Sequence, residues 1–161
     1  CYEASALLGA ALGEVWSNAP VDPRLRLANV HKSRAHTLID LGDDEFTRGR
    51  PHPMIDFRLR NERILAEARD PEVAVILLDI VLGYGAHADP AGELAPVLAK
   101  ARALARSAGR KLNVVGFVCG TEEDPQGLVR QEQALRAAGM LLADSNAQAA
   151  RLAASIVERR R

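Results

Sequence analysis

Hydrophobic and polar positions along the 161-residue chain switch repeatedly between a helical and an extended period. Tyr2 to Leu12 is rich in Ala and Leu and stops at Gly13, which predicts a first helix. Val15 and Trp16 then run into Ser17-Asn18-Ala19-Pro20, which is turn chemistry. Leu25 to Val30 predicts a weak strand or extended segment, and His36 to Leu41 a better one. Arg58 to Arg69 sets Leu59, Ile64, Leu65 and Ala68 at near-helical spacing and ends at Asp70-Pro71. Val73 to Ile80 is the clearest strand, and its nearly continuous apolar run predicts a central parallel strand covered on both faces. Leu94 to Ala108 follows as a helix closed by Gly109, and Leu112 to Val118 as a second buried strand. Leu128 to Ala138 is a helix closed by Gly139, Met140 to Ala143 a short strand, and Ala147 to Glu158 the last helix. This alternation demands an α/β fold, a three-layer open and mostly parallel sheet with helices on both faces.

In such sheets ligands bind outside the carboxyl ends of the strands. Three connections meet that condition: Leu41 to Asp56 (LGDDEFTRGRPHPMID), Val81 to Gly92 (VLGYGAHADPAG) and Cys119 to Gly127 (CGTEEDPQG). The first is unusually loaded, with four acids, two arginines, a histidine, two prolines and two glycines. Long connections of that composition are disproportionately functional. The other two share a phrase, Asp89-Pro90-Ala91-Gly92 and Asp124-Pro125-Gln126-Gly127, which reads as Asp at an N-cap and Pro at the first helical position. A capping carboxylate of that kind takes amides that would otherwise hold a phosphate.

Charge narrows the partners. Lys and Arg number 21 against 21 Asp and Glu, so no basic field exists to hold nucleic acid or an anionic membrane. The single one-sign cluster, Arg159-Arg160-Arg161, reads as a solvated tail complementing a helix dipole. The apolar run Val73 to Leu78 is cut by Asp79 well short of a membrane span. Two cysteines, Cys1 and Cys119, make neither a disulfide scaffold nor a metal-ligand pair, which suits a reducing, cytoplasmic location. Cys119, ending a strand, is expected as a small core residue rather than a nucleophile. Length and composition fit a single domain, and an opening on a helical pattern without Met or a secretory signal suggests part of a longer protein.

Several groups carry candidate chemistry. Gly83, Gly85 and Ala88 spell G-x-G-x-x-A, but no lone acid ends the next strand where a ribose would need it, and glycines that let the backbone turn account for the pattern. His52, between two prolines, and His87, just before a helix start, are the histidines placed to act as acid, base or phosphoryl acceptor. His31 and His36 flank an extended segment and read as structural. Arg48 and Arg50, on either side of Gly49, form a candidate clamp for carboxylate or phosphate. Asp43, Asp44 and Glu45 stand beside them, either as ion-pair partners that stiffen the loop or as part of the ligand site. With Glu122, Glu123 and Asp124 they also offer the hard oxygens that Mg²⁺ prefers.

Phrases in order along nearly the whole chain then resemble a known family. The helix CYEASALLGAALG, the unit ARDPEVAVILLDIVLGYG, the strand NVVGFVCGT, the phrase ALRAAGM and the closing helix are similar to the C-terminal, flavodoxin-like ligase domain of succinyl-CoA synthetases. The connector LGDDEFTRGRPHPMID more specifically resembles the FdrA family of acyl-CoA-synthetase-like proteins. The resemblance implies a second ligase-type domain or subunit, helix N-termini embracing a phosphorylated histidine, and coenzyme A with Mg²⁺ and nucleotide as cofactors. Two departures stand out. The phosphohistidine loop corresponds to about Gln126 to Glu132, which contains no histidine, and the Gly- and Ser-rich turn before the first helix would precede Cys1, so the first strand of the sheet is absent from this chain.

For FdrA-like proteins the resemblance implies a link to allantoin breakdown, in purine catabolism, through an oxamate carbamoyltransferase that makes carbamoyl phosphate. Such an enzyme needs anion-binding loops without a phosphohistidine. The expected site therefore has Asp43, Asp44, Arg48 and Arg50, the backbone amides of Gly83, Gly85, Gly120 and Thr121, and His52 as the proton-transfer group; a third reading is a histidine-phosphorylated synthetase that uses His87 in a displaced role. Phosphate, carbamoyl phosphate or coenzyme A is the expected ligand, with no resident metal. A non-catalytic assembly domain that docks a partner subunit is the reading from another class.

Overall fold

A computed structural model describes residues Cys1 to Arg159; Arg160 and Arg161, most of the basic tail, lie outside the described residues. The helices are α1 (Tyr2–Leu12), α2 (Asp44–Thr47), α3 (Arg58–Arg69), α4 (Pro90–Ser107), α5 (Leu128–Ala137) and α6 (Asn146–Glu158). The strands are β1 (Val15–Ser17), β2 (His36–Leu38), β3 (Val75–Val81), β4 (Asn113–Cys119) and β5 (Leu141–Leu142). Every strand pairing is parallel: β1 with β2, and β3-β4-β5 in that order. Helix α1 packs on α6 and α6 on β3 and β4, whereas α3, α4 and α5 pack successively on one another. The result is an α/β fold with helices on both faces of parallel strands, as the alternation demands.

The core explains why these segments hold. Ile80, Leu94, Leu98, Val114 and Leu135 are essentially inaccessible, and each such side chain contributes roughly 1.5–3 kcal/mol of burial. Helix α4 begins with Asp89 as its N-cap and Pro90 in the first turn, where the missing amide hydrogen is harmless. Strand β4 needs Gly116, because a Cβ there would stand 2.5 Å from the Leu78 carbonyl oxygen and closer still to Met140.

Four sequence expectations are corrected. Leu25 to Val30 forms no full strand: after the 3₁₀ turn Pro23–Leu25, started by the Asp22 carboxylate accepting from the Arg24 N–H at 3.0 Å, only the extended Arg26 makes a single parallel bridge, to Ser17. Val15–Ser17, read as the approach to a turn, is a strand that pairs with β2. The Asp124-Pro125 phrase does not start α5, whose N-cap is Gly127 at φ 68°; Asp124 instead closes a turn by accepting from the Thr121 N–H at 2.6 Å. Cys119 is exposed, because β4 has run past the core by its last residue.

The fifth difference concerns β3. It is bordered on one side only, and Val75 to Leu78 are merely half-buried, whereas Val114 and Val115 of β4 are sealed. The other edge of β3 looks across a cavity of about 670 Å³ towards β2. The two sheets are thus separated where a single sheet was expected. Among the described residues, no helix is long and apolar enough to cross a membrane.

Candidate functional site

The connector that leaves β2 is less formless than its composition implies. Asp43 is the N-cap of the single-turn helix α2, accepting from the Glu45 N–H at 3.1 Å, and Asp44 and Glu45 occupy the first turn, where negative charge suits the helix dipole. The acids therefore have a local structural task. Arg48 and Arg50 follow on the exposed side of the turn, separated by Gly49 at φ 74°, and among the described residues neither guanidinium makes a hydrogen bond or ion pair. The stiffening ion pairs between these acids and arginines do not form.

Past the arginines, His52 stands at the carboxyl-edge mouth of the cavity, with Pro53 and Met54 beside it. Its Nδ1 accepts from the Met54 N–H at 3.2 Å, and its Nε2 lies so near Gly42 that a Cβ there would be only 2.7 Å away. Asp56 ends the connector in a two-pronged pair with Arg58. The Arg58 guanidinium and its backbone N–H hold the Asp56 carboxyl down at about 2.

The loop after β3 is joined to the connector by the His87 N–H, which donates to the Met54 carbonyl at 2.9 Å. The His87 ring rests on Phe57 at a centroid distance of 5.2 Å, and its Nδ1 accepts from the Asp89 N–H at 3.1 Å. Both candidate histidines thus use Nδ1 as an acceptor. In a neutral ring that fixes the proton on Nε2, so Nε2 is a hydrogen-bond donor with no lone pair for nucleophilic attack.

Two buried glutamines, which sequence reading did not single out, tie the remaining loops together. Gln126, 3% exposed, accepts from the Gly83 N–H at 3.0 Å and donates to the carbonyls of Gly83 and His87 at 2.9 and 3.0 Å. Gln131, 1% exposed, accepts from the Ala91 N–H at 2.8 Å and donates to Asp89 Oδ1 at 2.9 Å. That amide is the main reason the Asp89 carboxyl titrates below its ordinary range, ahead of the Gly92 backbone and Arg130. One signal was available. Leu128, Gln131 and Leu135 share the apolar stripe of α5, and a polar residue on such a stripe must find a partner inside.

The sequence-predicted residues accordingly separate. Met54, His87, Gln126 and Gly83 form one run of hydrogen bonds through all three loops, but the Gly83 and Thr121 amides, expected to face a ligand, already donate to Gln126 and Asp124. Gly85 is exposed and Gly120 half-buried, the latter pressed on Leu82. Among the described residues no group of three or more His, Cys, Asp or Glu side chains is placed to hold a metal, so Asp43, Asp44 and Glu45 do not converge with Glu122, Glu123 and Asp124.

Comparison with known proteins agrees with this architecture. The chain is 46% identical over 145 residues to Uncharacterized protein YahF of Escherichia coli (strain K12), a match that covers 90% of this chain and 28% of that protein. The chain therefore spans little more than a quarter of the length of this curated relative. The family model described as CoA-ligase matches residues 1–156, and the chain belongs to the CoA-ligase family, as a succinyl-CoA-synthetase-like ligase domain.

Proposed function

We propose that this ligase domain serves an FdrA-like enzyme that handles a small phosphate-bearing or carboxylate ligand, and that the connector supplies its charge recognition. The observation that carries the reading is the contrast within the carboxyl edge: Arg48 and Arg50 are exposed and, among the described residues, unpaired, while the Gly83, Ala91 and Thr121 amides of the other two loops are internally engaged. A guanidinium pair held on a short turn suits bidentate capture of an oxyanion. His52 and His87 enter as Nε2–H donors rather than as phosphoryl acceptors, which favours acyl or carbamoyl chemistry on a bound phosphate over transfer through a phosphohistidine. Carbamoyl phosphate made by an oxamate carbamoyltransferase fits that requirement, as does an acyl phosphate passed to coenzyme A. A second ligase-type domain, within the longer protein or on a partner, would complete the site.

Titration of the full-length protein with inorganic phosphate, carbamoyl phosphate and coenzyme A, by calorimetry, tests this. Saturable binding of at least one, weakened about tenfold or more in Arg48→Ala/Arg50→Ala, is the expected result. Unchanged affinity in the double variant would remove the arginines from the site. The rival reading, an assembly domain, has its own support: Tyr84 is 94% exposed and Ile55 50% exposed on the two loops joined through His87 and Met54. No binding of any of the three ligands, with loss of a stable complex in Tyr84→Ala, would decide for assembly.

A further inference from the structure

Asp40, two residues past β2, is held more firmly than the end of a short strand requires. The side chain of Asn18, only 3% exposed, grips its backbone from both sides, accepting from the Asp40 N–H at 2.9 Å and donating to the Asp40 carbonyl at 3.0 Å. The Asp40 carboxylate in turn accepts from the Gly42 N–H at 2.9 Å through Oδ1. That local turn is ordinary aspartate chemistry, and it accounts for one carboxylate oxygen. Among the described residues the other, Oδ2, makes no hydrogen bond or ion pair.

Gly42 supplies the second half of the arrangement. The point that a Cβ would take there is 2.7 Å from His52 Nε2 and 3.2 Å from Asp40 Oδ1, so the bare glycine lets the imidazole seat against the turn beside the carboxylate. His52 is not bonded to Asp40. Its Nδ1 is taken by the Met54 N–H, which leaves the proton of the neutral ring on Nε2, on the Gly42 side. An unengaged donor, His52 Nε2–H, and an unengaged acceptor, Asp40 Oδ2, thus share one patch at the carboxyl-edge mouth of the cavity. One is fixed by a buried asparagine and the other by the absence of a side chain.

The pair is selective by its chemistry. A carboxylate or phosphate set on this patch would face the Asp40 carboxylate, and like charges repel. An amine would satisfy Asp40 but would turn a donor towards the imidazole N–H. A group that carries an N–H beside a carbonyl oxygen answers both.

We infer that Asp40 is a specificity-determining residue that, together with His52, selects a ligand end of the carbamoyl or primary amide class: its NH₂ donates to Asp40 Oδ2 and its carbonyl accepts from His52 Nε2–H. The inference rests on the reading of Arg48 and Arg50 as the clamp for the oxyanion at the other end of the ligand. Arg50 precedes His52 by two residues, a reach of about 7 Å along an extended chain, which a small ligand spans. An acyl phosphate, with carbon in place of the NH₂, leaves Oδ2 unanswered. Asp40 therefore tells apart two ligands that the arginines cannot.

Carbamoyl phosphate and acetyl phosphate differ only by NH₂ in place of CH₃, and their affinities for the full-length protein, measured by calorimetry on fresh solutions, test the assignment. A preference for carbamoyl phosphate of about tenfold or more is expected. Asp40→Asn keeps an oxygen for the Gly42 N–H and turns a donor outward in place of Oδ2. Its preference should shrink to about twofold or less, with acetyl phosphate bound no more weakly than by the parent. Should that variant fail to fold, Gly42→Ala reads the same pair, because its Cβ displaces the His52 ring and should erode the preference likewise. No preference in the parent, or one that survives in the folded variant, would overturn the role of Asp40. The clamp is read separately. Arg48→Ala/Arg50→Ala is expected to weaken both compounds by the same factor; unchanged affinities with the preference intact would remove the arginines and leave Asp40 standing. If neither compound bound the parent, both assignments would fall.

Discussion

The connector and the pair of loops that follow β3 and β4 lie at the same edge of the fold, yet they spend their polar groups in opposite ways. In the paired loops nearly every strong donor has an internal acceptor: Gly83 on Gln126, Ala91 on Gln131, Thr121 on Asp124, and Val129 on Glu122 at 2.8 Å. In the connector the acids are absorbed by α2 and by Arg58, while Arg48 and Arg50 remain open to solvent. Helix starts alone do not make an anion site. In this chain the amides that could form one are answered by carboxylates and amides of its own, and the unanswered positive charge sits in the connector.

The largest effects should come from cutting the internal ties. Gln126→Leu removes three hydrogen bonds at a buried position and leaves Gly83 and His87 backbone groups unpaired, a loss of about 2–4 kcal/mol. Calorimetry should show Tm lower by roughly 6–12 °C. Gln131→Leu strands the Ala91 N–H and the Asp89 carboxylate, and about 1–3 kcal/mol with a Tm drop of roughly 3–9 °C is expected. If either variant melted like the parent, the paired loops would not be the structural half of the comparison.

Arg48→Ala/Arg50→Ala makes the opposite test. With no side-chain bond to lose among the described residues, its Tm should stay within about 1 °C, since surface changes of this type are usually within ~0.5 kcal/mol. Its ligand affinity should fall as described above; a large stability loss would show that the arginines are braces.

The smallest effect lies in acid. Asp56 has its carboxyl lowered to about 2 by Arg58, so the charged form is favoured by folding. Its stabilising contribution is complete above the unfolded value of 3.8 and disappears as pH falls from there through about 2. Melting at pH 5 and pH 2.5 should therefore show a slightly smaller acid-induced drop for Asp56→Asn than for the parent. An identical drop would mean that the exposed pair contributes nothing, as many surface pairs do.

How far the sequence carries depends on the range of the forces involved. Arg58 to Arg69 coincides with α3, and Asp89-Pro90 starts α4, because helix period and caps are local signals. Strand β1 was hidden because three residues before Ser-Asn-Ala-Pro carry too little alternation to outweigh turn chemistry. The two Asp-Pro phrases look alike on paper yet diverge in space. Asp89 is followed by three small or capping residues that continue as helix, whereas Gln126 turns inward to Gly83, 43 residues away, and delays α5 until Gly127. Contacts of that separation have no spacing signature. The half-buried state of β3 was equally illegible, since an apolar run reports what a strand is built to face and not whether the neighbour is present.

The bare edge of β3 also bears on how the domain behaves in concentrated solution. Natural edge strands carry guards against pairing with strangers, and the guard visible here is Asp79 with its Arg60 partner, one charge pair on a seven-residue strand. Copies that meet at that edge are held apart by this one pair, so removing its charge should lower the concentration at which the domain aggregates.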